Sequence, residues 1–269
     1  MAMTLYTSSV WTDYHEAKVK RDDEAYWDKR ALGFSRHAGV SNYAQEFVEL
    51  CRINPNWTVL DVGCGSGSLT VDIARHARQV TGIDISSVML ELLEERAHNE
   101  GATNVNTIKA AWEDDWDACG VPQADLVVES RALLTADLPR ALSKLDGRAR
   151  RRVCLTTVCG DLAYNDRKVI EAIGRTLPQP PDYIHVVNCL YDRGIKADVR
   201  FISSVKHDTY CNRDAAKTSL VKMLGSNVTE QENLMLDYFL DRHLIQREDG
   251  SWMKDYERRT DWAFISWDK

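Results

Sequence analysis

The sequence predicts an α/β fold built on a mostly parallel sheet with helices on both faces. Three observations carry that prediction. Short apolar runs alternate with helical segments through the middle of the chain, which implies crossover connections and a parallel sheet. The runs are almost continuously apolar, as strands covered on both faces must be. A glycine-rich turn follows the first run and opens a helix, the position at which open α/β sheets bind ligands.

The elements follow in order. Thr58–Val62 reads as the first strand and ends in glycines; Leu69–Ala77 follows as a helix. Gln79–Ile85 is the second strand. Ser86 and Ser87 are N-cap residues for a helix over Val88–Asn99, which Gly101 closes. Val105–Ala110 and Ala124–Glu129 are the third and fourth strands, Asp137–Leu145 is a helix, and Arg152–Val158 is the fifth strand. Asp166–Ile173 is helical until Pro178, Pro180 and Pro181 stop it. Asp182–Arg193 is a further helix with Ile184, Val187, Leu190 and Tyr191 on one side. Ala197–Val205 and Asp261–Trp267 are the sixth and seventh strands, expected to pair with each other. Between them lie helices over Asp214–Leu224 and Thr229–Leu244, the second opened by a capping box at Thr229 and Glu232. No repeat or linker divides the 269 residues, so one domain is expected: cap helices over 1–41, a ligand-binding core over 42–205, a helical insert over 206–257 and a last strand over 258–269.

The formal net charge of −7 argues against a protein that grips nucleic acid by its phosphates. The one basic run, Gly147–Arg152, reads as a solvated loop before a strand. Seven cysteines, with no pair or Cys/His cluster at zinc-ligand spacing, suit reduced thiols. Nothing in Met1–Trp11 reads as a signal peptide, and no apolar run approaches membrane-spanning length, so a cytoplasmic protein with no membrane partner is expected. The oligomeric state is open.

The turn Asp61-Val-Gly-Cys-Gly-Ser-Gly67 carries the chemistry. Gly63, Gly65 and Gly67 permit positive φ and close backbone approach to a ligand. Dinucleotide enzymes use Gly-x-Gly-x-x-Gly. Here the spacing is shorter, and Ser68 stands where the third glycine would be. Asp61 would repel a pyrophosphate and attract an ammonium group. S-adenosyl-L-methionine (SAM) carries an ammonium and a sulfonium and no phosphate, so the electrostatics favour it over a nicotinamide dinucleotide. Asp84 ends the second strand, 21 residues after Gly63. An acid there accepts hydrogen bonds from ribose hydroxyls, whichever adenosine ligand is bound. It also suits a helix-capping acid before Ser86.

These two segments, Val59–Gly67 and Gly82–Ser86, resemble motifs I and II of the class I SAM-dependent methyltransferases. The resemblance covers about Asn42 to Val158. It implies a Rossmann-like seven-stranded sheet with the last strand inserted antiparallel. It also implies that Asp61 and the Gly63, Cys64, Gly65 and Gly67 backbone hold the methionine part of SAM, and that Asp84 holds the ribose, with Ile85 and Met89 beside it. After the third strand such enzymes commonly have an acid that meets the adenine N6. This chain has Ala111 there, followed by Trp112, whose face suits the adenine or ordinary core packing, and by Glu113 and Asp114 as substitutes for the acid. After the fourth strand, Ser130 falls where the backbone passes the methyl donor. Arg131 either reaches a substrate anion or forms a surface ion pair.

Methyl transfer from a sulfonium is an in-line displacement, so the enzyme's task is to hold nucleophile and methyl in register and exclude water. The resemblance therefore assigns no universal catalytic residue. His37 and His185 are candidate bases, and Tyr191 is a third candidate for a catalytic role. Tyr164 and Tyr191 belong to the segment expected to help roof the acceptor pocket, with the N-terminal region and the insert. A cap of that size favours a small-molecule acceptor, with S-adenosylhomocysteine (SAH) as the other product. The competing readings are an RNA or protein methyltransferase on the same fold, and a SAM- or SAH-binding protein without methyl transfer. The absence of an Asn/Asp-Pro-Pro-Tyr tetrapeptide counts against methylation of nucleic-acid amino groups.

Overall fold

The apolar runs form one seven-stranded sheet. In the computed structural model, which describes residues 8–36, 42–160, 165–176, 180–225 and 227–269, these strands are β1 (Thr58–Val62), β2 (Gln79–Asp84), β3 (Val105–Lys109), β4 (Ala124–Ser130), β5 (Ala149–Val158), β6 (Asp198–Lys206) and β10 (Arg258–Asp268). Their spatial order is β3-β2-β1-β4-β5-β10-β6. The neighbours from β3 to β5 are parallel, and β10 is antiparallel to β5. The chain winds outward in both directions from β1 and β4, so a crevice opens at the carboxyl ends of these two strands. The expected Rossmann-like sheet, with its last strand inserted antiparallel, is the observed one.

Local chemistry explains the element ends. Ser86 Oγ accepts from the Met89 amide and caps α5 (Ser87–Asn99). Asp137 caps α6 (Leu138–Arg148) by accepting from the Arg140 amide. One expectation is corrected: the basic run is not a loop. Arg148 ends α6 and Arg150, Arg151 and Arg152 lie in β5, because pairing with β4 begins at Ala149 opposite Ala124. Carboxylates of neighbouring strands balance the charges: Arg150 and Arg151 reach Asp125 at 3.3 and 3.5 Å, and Arg152 reaches Asp268 at 2.6 Å.

The contacts group the chain into two compact units. The first comprises 1–158, 181–202 and 262–269. Its core lies where α3 (Tyr43–Cys51) and α4 (Ser68–Ala74) meet the sheet: Phe47, Ile73, Val59, Leu126, Cys154 and Phe264 are buried together. It also contains α1 (Ser8–Arg21), α2 (Glu24–Arg36) and α8 (Tyr183–Asp192).

The second unit comprises 159–180 and 203–261. Here α7 (Arg167–Ala172), α9 (Arg213–Leu224) and α10 (Glu230–His243) share a core that includes Val169, Leu220, Leu236 and Leu240. The capping box at Thr229 and Glu232 is formed. A three-stranded sheet of β7 (Thr209–Tyr210), β8 (Leu244–Gln246) and β9 (Trp252–Lys254) was not anticipated; strands of two or three residues are too short to show alternation. Buried Lys254 donates to Asp166 at 2.6 Å and Asp208 at 3.0 Å, and Tyr256 donates to the same Asp166 oxygen at 2.7 Å.

Candidate active site

The turn after β1 is fixed to the end of β2 by its backbone. The amides of Gly63 and Cys64 both donate to the Ile83 carbonyl, at 2.8 and 3.0 Å. The Gly65 amide donates to Asp84 Oδ2 at 2.9 Å. The three glycines have φ of 70°, 53° and 79°, but they differ in what surrounds them. A Cβ on Gly63 would lie 2.3 Å from the Ala132 Cβ, and one on Gly67 would lie 2.1 Å from Leu93 Cδ1. At Gly65 it would meet nothing within 4 Å. Two of the glycines are therefore required by packing, and Gly65 leaves the open surface.

Asp61 lies in β1, one residue before its end, not in the turn itself. It is 1% exposed and accepts from Thr70 Oγ1 of α4 at 2.7 Å. Burial pushes its carboxyl up to about 6; the Thr70 bond opposes the shift and the nearby Asp84 charge adds to it. Asp84 is also shifted upward by burial, against hydrogen bonds from the Ser86, Gly65 and Ile85 backbone. Its Oδ1 accepts from the Ser86 amide at 2.9 Å, so the helix-capping role and the contact to the glycine turn coexist. A carboxylate has about four lone-pair sites, so these backbone bonds still leave acceptor capacity. Met89 is buried beneath the cap of α5, and Ile85 is half-buried.

The loop after β3 is braced against the loop after β4. Trp112 Nε1 donates to the Ala132 carbonyl at 2.9 Å. Lys144 Nζ donates to the Trp112 carbonyl at 2.6 Å and to that of Asp114. The Ala111 amide donates to Asp114 Oδ2 at 2.8 Å, so Asp114 already serves its own turn, while Glu113 is exposed.

At the end of β4, Tyr43 of α3 joins two neighbouring strands. Its hydroxyl lies 2.8 Å from Ser130 Oγ and 2.6 Å from Thr156 Oγ1. Burial pushes the phenol up to about 12, so it stays protonated. Arg131 has φ 59°, and its guanidinium lies 4.2 Å from the Tyr43 ring centre and 5.5 Å from that of Trp262. It is an exposed cation held on aromatic faces, with no carboxylate partner among the described residues. Glu129, just before Ser130, is fully buried.

The N-terminal helices reach these loops. Asp28 of α2 accepts from Ser86 Oγ at 2.5 Å. Glu24 accepts from Lys109 Nζ at 2.6 Å. From α1, Trp11 Nε1 donates to the Thr135 carbonyl at 2.8 Å, and Thr12 Oγ1 donates to that of Ala136 at 2.9 Å. Helices α1 and α2 are thus tied to the loops that leave β2 and β4 and to the end of β3.

Among the expected acceptor-side groups, His37 and Tyr164 lie outside the described residues. His185 is buried and takes part in a capping box, its Nδ1 accepting from the Asp182 amide at 3.2 Å. Tyr191 is 75% exposed on α8. Tyr43 and Ala132 are not legible in the sequence, and Glu129 is legible there only by its place at the end of the fourth strand, without a role of its own. Glu129 did leave a signal there, an acid directly after the apolar run Leu126–Val128.

A family model described as a methyltransferase domain matches residues 59–151. An uncharacterized protein of Haemophilus influenzae is 32% identical over 246 residues, 90% of this chain and 88% of its own. The 23S rRNA (uracil(1939)-C(5))-methyltransferase RlmD of Francisella tularensis is 37% identical over 59 residues, only 13% of that enzyme and 22% of this chain. Among solved structures, the YcgJ protein of Bacillus subtilis aligns with TM-score 0.56 and 13% identity, over 85% of this chain and 98% of that one. A precorrin-6y C5,15-methyltransferase of Geobacter metallireducens aligns with TM-score 0.50 and 11% identity, over 84% and 86%. At these identities the structures speak to the fold alone. With the matching domain and the two motifs, the chain belongs to the class I SAM-dependent methyltransferases. Among the described residues, no helix is long and apolar enough to cross a membrane.

Proposed function

We propose that this enzyme transfers the SAM methyl group to a small-molecule acceptor, leaving SAH, and that residues 1–269 work as one methyltransferase domain. The observation that carries the reading is the attachment of α1 and α2 to the loops at the carboxyl ends of β2, β3 and β4. Helices across that edge favour an enclosed acceptor over a polymer laid along an open groove. The net charge of −7 points the same way.

The residues present fit the donor. Gly65 leaves open space where a Cβ would stand, and Asp61 supplies buried negative charge beside the turn. In this reading Asp61 and the Gly63, Cys64, Gly65 and Gly67 backbone face the methionine end, and Asp84 holds the ribose with Ile85 and Met89 below it. Trp112 lines the adenine, with Ala111 and Glu113 in the same loop, and Ser130 passes the methyl-bearing end. Bound SAM supplies an electrophilic methyl on a sulfonium. The chain holds the two reactants in line and keeps water out. Arg131, fixed on Tyr43 and Trp262, meets an anionic group of the acceptor. Residues Tyr164 and Tyr191 remain on the acceptor side of the proposal, and His37 and His185 remain the basic groups to test.

The relative named for rRNA methylation keeps a polymer acceptor as the competing reading. Methyl-labelled SAM incubated with the enzyme and a fractionated cell extract separates them. Label in the small-molecule fraction is the expected result; label in RNA or protein overturns it.

A further inference from the structure

Strand β4 is apolar from Leu126 to Val128, and its next residue is a glutamate with no exposed surface. Glu129 Oε1 accepts from the Ala132 amide. Its Oε2 is equally buried and has no hydrogen-bond partner among the described residues. A bare carboxyl oxygen in the interior is an unmet demand for a proton or a cation.

The surroundings show which corner of the fold makes that demand. Glu129 pairs in register with Val62, the residue before Gly63. The Ala132 amide it holds belongs to the residue packed against Gly63. Glu129 therefore sits where the glycine turn of β1 meets the loop after β4. The charged and titratable groups facing it are Asp61 from β1, Tyr43 from α3 and Arg131 from the following turn. Burial pushes its carboxyl up to about 8, and the Asp61 charge adds to this. The Ala132 and Thr156 amides and the Arg131 charge oppose it. Arg131 does not pair with it, since that guanidinium is stacked on Tyr43 and Trp262.

We propose that Glu129 is the counter-ion of the ammonium group on the donor's methionine end, and that it takes up this role by giving a proton to solvent as the donor binds. This rests on the donor reading above. The carboxyl O–H breaks, the proton passes to buffer, and the carboxylate oxygen meets the ammonium group, which keeps all its own protons. Thr70 engages one oxygen of Asp61, whereas Glu129 Oε2 is buried with no hydrogen-bond partner among the described residues. Donor binding then depends on pH. Between pH 7.5 and 6.5 the Kd for SAM rises roughly tenfold, because each binding event must remove a proton that is held more firmly as the pH falls. SAH carries the same ammonium group and behaves alike. Methylthioadenosine, which keeps the adenosine but lacks the amino-acid end, shows neither effect.

Titration calorimetry at pH 7.0 in phosphate and in Tris, which differ in ionisation enthalpy, measures the proton directly. The expected result is release of just under one proton on binding SAM and none on binding methylthioadenosine. In Glu129→Gln the release disappears and SAM affinity becomes independent of pH between 6.5 and 7.5, while methylthioadenosine binds as before and reports an intact fold. Equal proton release for SAM and methylthioadenosine, or none for either, would overturn the proposal, as would undiminished release in Glu129→Gln. Failure of the unaltered protein to bind SAM at all would instead overturn the donor reading.

Discussion

The Asp84 carboxylate accepts a hydrogen bond from the Gly65 amide at 2.9 Å, so the acid that ends β2 also holds the turn that ends β1. One side chain thereby fixes the spacing between the ends of β1 and β2. Asp84→Ala should lose this brace and, on the proposed donor reading, the ribose contact as well. A charged hydrogen bond contributes about 1.5–3 kcal/mol. SAM affinity should therefore fall roughly ten- to 150-fold, with the circular dichroism spectrum unchanged. An unaltered Kd by calorimetry would show that Asp84 only caps α5.

The glycines of the turn should separate by substitution. Gly63→Ala places a Cβ 2.3 Å from the Ala132 Cβ at positive φ, so overpacking and backbone strain add. A loss of about 3 kcal/mol or more is expected in chemical denaturation. Gly65→Ala meets no neighbour and should cost only ~1–2 kcal/mol for its φ, yet weaken SAM binding more than its stability loss explains. Equal stability costs at the two positions would contradict this division.

The buried carboxyl of Glu129 gives the ligand-free protein a characteristic pH dependence. Its folded value of about 8 exceeds the ordinary 4.5, so between those values the folded state holds a proton that the unfolded state has released. The unfolding free energy must then fall as pH rises through that window. Glu129→Gln removes this contribution. The variant should match the parent in Tm near pH 5 and exceed it by several degrees at pH 8. A constant difference across that range would show that the carboxyl is not held protonated in the fold.

In the second unit, Lys254 is 2% exposed and bonded to Asp166 and Asp208. Lys254→Met leaves the carboxylates without their shared cation. Removing one partner of a buried pair costs about 3–5 kcal/mol. Thermal melting should show that loss, and a change under 1 kcal/mol would mean that water replaces the ammonium group easily.

Much of this architecture was legible in the sequence because the signals are local. The seven main strands announce themselves by apolar runs, Ser86 and Thr229 by cap chemistry, and the turn between β1 and α4 by its closely spaced glycines. What escaped depends on contacts distant in the chain. Tyr43 meets Ser130 and Thr156 across 87 and 113 residues, which no local pattern records. A Cβ at position 63 or 67 would meet Ala132 or Leu93, residues far along the chain. The basic run from Arg148 to Arg152 misled because its countercharges, Asp125 and Asp268, belong to other strands.

If the turn at Gly63–Gly67, with Asp84, holds SAM as proposed, calorimetry of the full chain against SAM, SAH and NAD will show it. SAM and SAH should bind one per chain, Asp84→Ala should weaken both, and NAD should not bind. Binding of NAD with no binding of SAM would contradict it.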